Sequence, residues 1–284
     1  MADTGDSHLL GSTLGKYTFK YKIGTGATSE IWKCEELGRG TVAVKFINRQ
    51  KPFFKEISQY TKGEFEFYKS ASHIGLPKAY DVFENTRGFF MVMELFDGPN
   101  LLQAFQVHRS QYQPLIPTFV KKMIEVLDYV HKNKIIHCDI KPENFLVDLN
   151  GNLKLIDFSI MKKAKFSLLT SLVKQRIEGT PEYMSPEQIK GKSITYLSDY
   201  YSLGLVLYFL YTGKKPFDGD TPEIILAKNL KDSPVDPIYL NPELCCNLMN
   251  NIIKQLIAKN PADRIKNLTE LSFMYRKTKL ANLR

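Results

Sequence analysis

The sequence predicts an α+β chain in two parts, a small β-rich part followed by a larger, mainly helical one. Short runs rich in aromatic and β-branched residues fill the first third, at 17–23, 30–35, 41–47, 78–83 and 89–94, with one helical stretch at 55–72 between them. Segments with apolar residues at helical spacing dominate the rest, at 101–107, 117–133, 198–212, 222–231, 242–258 and 268–275. Between 135 and 158, polar and ionisable residues crowd beside two short apolar runs, and chemistry is expected there, between the two parts. A two-residue period suits a half-buried strand, and a 3.6-residue period suits an amphipathic helix.

Residues 1–16 are polar and rich in Gly, Ser and Thr, and read as a flexible tail. Tyr17, Phe19, Tyr21 and Ile23 then alternate with polar neighbours, as in a strand. The turn Gly24-Thr25-Gly26-Ala27-Thr28-Ser29 follows, and a strand comes after it, which excludes a dinucleotide fingerprint because that needs a helix. Residues 36–40, with Gly38 and Gly40, suit a hairpin loop. Val42-Ala43-Val44-Lys45 sets a lysine in an apolar strand, an expensive place for a charge without a partner. Phe65, Tyr68 and Ala71 mark one face of the first helix, and Phe119, Met123, Val126, Leu127 and Val130 mark one face of the helix at 117–133. The apolar run 200–211 is too short for a bilayer and reads as a buried helix. Residues 145–147 and 153–156 are expected to be small strands around the turn 148–151, and 276–284 a basic tail.

With 284 residues, 43% hydrophobic and 24% charged, the chain can bury a substantial core. Its net charge of +9 suits an anionic partner but does not choose among nucleotide, acidic protein, membrane surface and nucleic acid. Cys34, Cys138, Cys245 and Cys246 form no C-x-x-C spacing, so neither a disulfide framework nor a zinc site is expected. That usage fits a reducing compartment, and a cytoplasmic location is expected. The first fifteen residues lack the charged start and apolar run of a signal peptide.

The most specific segment is Ile136-His137-Cys138-Asp139-Ile140-Lys141-Pro142-Glu143-Asn144, followed by Leu155-Ile156-Asp157-Phe158-Ser159. Asp139, Lys141 and Asn144 fall within six positions, and Asp157 follows Asp139 by 18. Phosphoryl transfer from a metal-bound nucleotide needs a carboxylate to orient a hydroxyl, a carboxylate and an amide oxygen for Mg²⁺, and a cation for the phosphate. The pattern resembles the catalytic and magnesium loops of eukaryotic-type Ser/Thr protein kinases. The resemblance covers roughly residues 19–275 through about ten ordered motifs.

That resemblance implies a bilobal fold, with an N-lobe at 17–94 and a C-lobe at 95–275, and it implies ATP and Mg²⁺ as cofactors. Asp139 would be the catalytic base, Lys141 would neutralise the transferred group, and Asn144 and Asp157 would bind Mg²⁺. Gly24, Gly26 and Ser29 would cover the phosphates, with Ser29 at the family's third glycine. Lys45 would contact the α- and β-phosphates and pair with a helix glutamate. Glu64 is the choice over Glu66, because Phe67 and Tyr68 follow it at the family's inward-facing positions. Met93 would back the adenine pocket, the backbone of Glu94 and Phe96 would bond the adenine edge, and Ile23, Ile31, Ala43 and Leu146 would line the nucleotide site. Thr180, in Gly179-Thr180-Pro181-Glu182-Tyr183-Met184-Ser185-Pro186-Glu187, would contact Asp139 and Lys141, and with Lys141 it points to Ser/Thr acceptors. Glu187 with Arg264, and Asp199, would be scaffold residues.

Two positions depart from the family. Cys138 stands where an arginine usually receives a phosphate from the activation loop, so activity without strict dependence on such a phosphate is expected. Ser167, Thr170 and Ser171 are the candidate phosphosites. Ser159 replaces a glycine and is expected to restrict the backbone somewhat. The expected function is Mg-ATP-dependent transfer to Ser/Thr hydroxyls of a protein partner, with no membrane span and no specific nucleic acid; oligomeric state is not indicated. A nucleotide-binding scaffold without transferase activity is the alternative that the two departures motivate. A small-molecule kinase is disfavoured by the 179–187 segment and the Glu187/Arg264 pair.

Overall fold

The computed structural model describes residues 9–164 and 179–281, with side chains to 278. The candidate phosphosites Ser167, Thr170 and Ser171 lie outside the described residues. The chain divides into two units, one of residues 1–97 with 156–159 and one of 98–155 with 160–284.

The first unit is built on an antiparallel sheet of six strands: β1 (Thr13–Leu14), β2 (Tyr17–Thr25), β3 (Glu30–Glu36), β4 (Gly40–Asn48), β5 (Ala79–Glu84) and β6 (Gly88–Met93). Their spatial order is β1-β2-β3-β4-β6-β5. One face buries Phe19, Trp32, Val42, Val44, Phe46, Phe90 and Val92 as a continuous apolar cluster. Phe90 stacks between Phe46 and Phe83, with both centroids 4.8 Å away. Helix α1 (Phe54–Ser70) turns Thr61, Glu64, Phe65, Phe67 and Tyr68 inward.

Two expectations for this unit are corrected. Alternation along 17–23 would place Tyr17, Phe19, Tyr21 and Ile23 on one face, yet Tyr21 and Ile23 are exposed. The register against β3 slips twice, between Phe19 and Tyr21 and again between Lys22 and Gly24, so Tyr21 and then Ile23 fall out of the alternation begun at Tyr17. Nor are residues 9–16 a free tail. Leu9 is fully buried in the apolar cluster. The Gly11 N–H donates to the Phe19 carbonyl at 2.8 Å, and the Phe19 N–H donates to Ser12 at 3.0 Å.

The second unit is mainly helical: α2 (Leu101–Val107), α3 (Arg109–Tyr112), α4 (Ile116–Lys132), α5 (Pro186–Ile189), α6 (Tyr196–Thr212), α7 (Pro222–Lys231), α8 (Pro237–Leu240), α9 (Asn247–Leu256) and α10 (Leu268–Ala281). Short strands β7 (Ile135–Ile136) and β10 (Lys162–Lys163) pair, as do β8 (Phe145–Val147) and β9 (Leu153–Leu155). Helix α4 buries Phe119, Met123, Val126, Leu127 and Val130, the face that its spacing predicts. Helix α6 is buried at every residue from Ser198 to Tyr211. It packs against α9 at Gly204, where a Cβ would come within 2.7 Å of Leu256 and Ile257.

The helix expected at 242–258 is shorter. Residues 242–244 form a turn in which Asn241 Oδ1 accepts from the Leu244 N–H at 3.3 Å, 245 and 246 are irregular, and α9 begins only at Asn247. Helix α8 was not expected, since one turn is too brief for a period to register. Helix α10 runs past residue 275 to Ala281. Among the described residues no helix is long and apolar enough to cross a membrane, and the four cysteines are free thiols.

Candidate active site

In the first unit the unusual lysine has its partners. Lys45 lies on β4, 5% exposed, with Nζ 2.7 Å from Glu64 Oε2 and 3.0 Å from Asp157 Oδ1. Glu66 is exposed on α1, so the helix presents Glu64 to the lysine. Burial opposes the charge on Lys45, but Asp157 and Glu64 outweigh it and hold the amine above the ordinary lysine range. The other Glu64 oxygen accepts from the Phe158 N–H at 3.0 Å, so one carboxylate fixes both the lysine and the turn that carries Asp157.

That turn is strained. Asp157 has φ 65°, a region that most L-residues avoid and aspartate enters more readily than others. Its N–H donates to the Tyr68 hydroxyl at 3.0 Å, and Phe158 is fully buried against the rings of Phe67 and Tyr68. Burial, then the Glu64 and Asp157 carboxylates, push the Tyr68 phenol well above its usual range, so it stays neutral and able to accept. Ser159 has no positive φ, so this conformation does not use the freedom that a glycine would give there.

The glycine turn joins β2 to β3, with the Gly26 N–H bonded to the Ser29 carbonyl at 2.8 Å. Neither Gly24 nor Gly26 has a positive φ. A Cβ would meet its nearest neighbour at 3.6 Å on Gly24 and 3.5 Å on Gly26, ordinary contact distances. The fold itself therefore does not demand glycine at either place. Of the other expected nucleotide-lining residues in this unit, Ala43 is buried on β4 opposite Met93, Ile31 is half-buried opposite Lys45, and Ile23 is exposed. The Glu94 N–H is committed to the Lys78 carbonyl at 2.8 Å, while Phe96 is half-buried in the connector beyond β6.

In the second unit, hydrogen bonds converge on Asp139. Its Oδ1 accepts from the Thr180 N–H at 3.1 Å and the Thr180 hydroxyl at 3.0 Å. Its Oδ2 lies 2.7 Å from Lys141 Nζ and 3.2 Å from Asn144 Nδ2. Lys141 also donates to Thr180 Oγ1 at 2.7 Å. Asn144 gives its amide nitrogen to the Asp139 carbonyl as well, at 2.8 Å, which fixes the orientation of the amide. Its amide oxygen, the atom a hard cation would take, accepts no hydrogen bond among the described residues. Leu146 is half-buried on β8. Among the described residues, no group of three or more His, Cys, Asp or Glu side chains gathers as a metal site.

The catalytic-loop backbone is anchored from α6. Asp199 Oδ2 accepts from the His137 N–H and Oδ1 from the Cys138 N–H, both at 2.9 Å. His131 Nε2 lies 2.8 Å from Asp199 Oδ2. Glu187 and Arg264 form a buried bidentate pair at 2.8 and 2.9 Å, and the Ser198 hydroxyl adds a bond at 2.7 Å. Burial works to raise the Glu187 carboxyl, but Arg264 overcomes it and holds it below the usual range. Asn229 and Ser202 tie the Met184 and Tyr183 carbonyls, each at 2.7 Å.

Sequence reasoning missed Tyr68 as a backbone partner, along with His131, Asn229 and Gln188. The last had a readable signal, because Ser185-Pro186-Glu187-Gln188 is a helix capping box.

A small antiparallel sheet with one inward-facing helix, a helical unit, a paired lysine and a threonine-bonded aspartate define a class, the protein kinases. The protein kinase domain model matches residues 17–274, and the chain belongs to that family. It is similar to a probable serine/threonine-protein kinase of Clostridium acetobutylicum, 32% identical over 271 residues, which are 93% of this chain and 40% of that protein. Serine/threonine-protein kinase PrkC of Bacillus subtilis is 28% identical over 265 residues, with 93% of this chain and 40% of that protein covered. Serine/threonine-protein kinase TIO of Arabidopsis thaliana is 31% identical over 244 residues, 86% of this chain and 18% of that protein. The chain thus spans about 40% of the length of these bacterial relatives.

Proposed function

We propose that the protein transfers the γ-phosphoryl group of Mg-ATP to Ser/Thr hydroxyls of protein substrates, without strict dependence on activation-loop phosphorylation. The observation that carries this reading is the Asp139 cluster. Thr180 and Lys141 bracket one carboxylate as an acceptor hydroxyl and a transferring phosphoryl group would require. Asp139 orients the acceptor hydroxyl and takes its proton; Lys141 offsets charge on the moving group. Thr180 keeps these two side chains in register.

Lys45, fixed by Glu64, holds the α- and β-phosphates, and the turn at Gly24, Gly26 and Ser29 covers them. Glycines that the fold does not itself need suit close approach of a ligand. Met93, Ala43, Ile23, Ile31 and Leu146 line the base, while the Glu94 carbonyl and the Phe96 backbone bond its edge. Asn144 and Asp157 would hold Mg²⁺ by their oxygens, a donor set that suits a hard cation. Bound there, the ion would neutralise phosphate charge.

Cys138 supports independence from an activating phosphate. It is 4% exposed, its thiol sits 3.5 Å from the Ile136 carbonyl, and it offers no cation. Four free thiols agree with a cytoplasmic setting. The test is transfer of radiolabelled phosphate from ATP to a generic Ser/Thr substrate, comparing wild type with Asp157→Ala. Transfer by unphosphorylated wild type alone is expected. Equal counts from both would favour a nucleotide-binding scaffold, and activity appearing only after phosphorylation at Ser167, Thr170 or Ser171 would overturn the regulatory part.

A further inference from the structure

We propose that Gln188 is a positioning residue for catalysis, a built-in clamp that holds the catalytic loop to the end of the activation segment; this rests on the transfer reading above. Cys138 has φ 70°, a conformation in which a side chain crowds its own backbone. Such a residue persists only where its surroundings fix both flanking peptide units. At Cys138 they do. Its N–H is taken by Asp199 Oδ1 at 2.9 Å. Its carbonyl accepts from Gln188 Nε2 at 2.8 Å.

Gln188 is itself 4% exposed and held firmly. Its Oε1 accepts from the Ser185 N–H at 3.0 Å and the Ser185 hydroxyl at 2.8 Å, so the amide nitrogen must face Cys138. The peptide that Gln188 grips is the one leading into Asp139. The N–H of that peptide donates to His137 Nδ1 at 3.2 Å, so losing Gln188 leaves it tied at one end only and loosens the hold on the Asp139 carboxylate against Thr180 and Lys141. The family's arginine ties this loop to the activation segment through a phosphate. Here a neutral side chain makes a tie between the same two segments and needs no modification.

The test uses the full chain, as wild type and Gln188→Leu. Iodoacetamide labelling located by peptide mass mapping reads the clamp without reference to catalysis. Cys138 of the variant is expected to label about tenfold faster than in wild type through local opening, while Cys34 and Cys245, both fully buried, stay protected. Kinetics read the consequence: kcat should fall roughly ten- to a hundredfold, with KM for Mg-ATP within about twofold. Adding Cys138→Gly, which accepts a positive φ without strain, should restore most of the lost kcat.

Unchanged Cys138 labelling overturns the clamp whatever the activity. Faster labelling with unchanged kcat overturns its part in positioning, and no recovery with Cys138→Gly overturns strain as the cause. If wild type transfers no more than Asp139→Asn, the transfer reading fails, while labelling still decides the clamp. Should Gln188→Leu expose all three cysteines, Gln188→Glu decides. It keeps an acceptor for Ser185 but loses the donor at neutral pH, so Cys138 alone should label faster, and protection of Cys138 there overturns the proposal.

Discussion

Cys138 in the helical unit and Asp157 with the β-rich unit share a backbone conformation, φ 70° and 65°, and different chemistry holds each there. At 157 the restraints are Tyr68, Glu64 and, through the carboxylate, Lys45. Two of these lie on one helix, and one is half of a buried ion pair. At 138 the restraints are Asp199, anchored in α6, and the neutral amide of Gln188. The turn that carries the proposed base is thus tied to the most buried helix of its unit. The turn that carries Asp157 depends on where α1 stands and on the charge of Lys45.

The comparison can be broken at either end. Asp139→Asn is expected to lower the transfer rate by roughly 10²–10⁴-fold and, because an amide N–H₂ would face the donors of Thr180, Lys141 or Asn144, to cost about 1–3 kcal/mol of stability. Stopped-time phosphate transfer and a thermal melt check both halves. Lys45→Met leaves Glu64 buried without its cation and should cost about 3–5 kcal/mol in urea unfolding; a loss near zero would mean that α1 and the Asp157 turn hold without the pair. Asp199→Asn turns an amide N–H₂ toward the donors of His137 or Cys138 and should cost about 1–3 kcal/mol, with raised hydrogen exchange confined to the catalytic loop. Tyr68→Phe removes the acceptor for the Asp157 N–H and the hydroxyl's bond to Glu64 at a buried site, for about 1–3 kcal/mol.

The smallest effect is one of pH. Glu187 adjoins Gln188, and Arg264 holds its folded-state pKa below the ordinary 4.5. A depressed carboxyl adds stability that is complete above pH 4.5 and fades as pH falls through the folded value. Glu187→Gln should therefore flatten the acid limb of the unfolding profile below 4.5 and leave its shape near neutrality unchanged. An unaltered acid limb would show that the pair contributes nothing to folding.

Much of the fold was legible because it rests on period. Strands with buried aromatic faces and α4 with its apolar stripe announce themselves residue by residue. What stayed hidden is what period cannot encode. Two register slips in β2 left Tyr21 and Ile23 facing outward. A turn at 242–244 interrupted a run that still looked helical. The Asp139 cluster was legible as an inventory through resemblance, and so was the pairing of Lys45 with Glu64. The positive φ of Cys138 and Asp157 was not, because neither is a glycine and, although aspartate tolerates the left-handed region better than most residues, no local pattern marks these two positions for it. It is imposed by partners distant in sequence, of which Tyr68, 89 positions from Asp157, is one.

Leu9 gives the family boundary at residue 17 a practical meaning. Residues 9–14 fold back over the outer strand of the sheet, with Leu9 as the plug and β1 as a short cover. A protein trimmed to begin at residue 17 would present the N–H and C=O groups around Phe19 to solvent beside an opened apolar pocket. Unpaired strand edges of that kind recruit other chains. Residues 9–16 thus cover a strand edge and an apolar cluster that the family match, beginning at residue 17, leaves out.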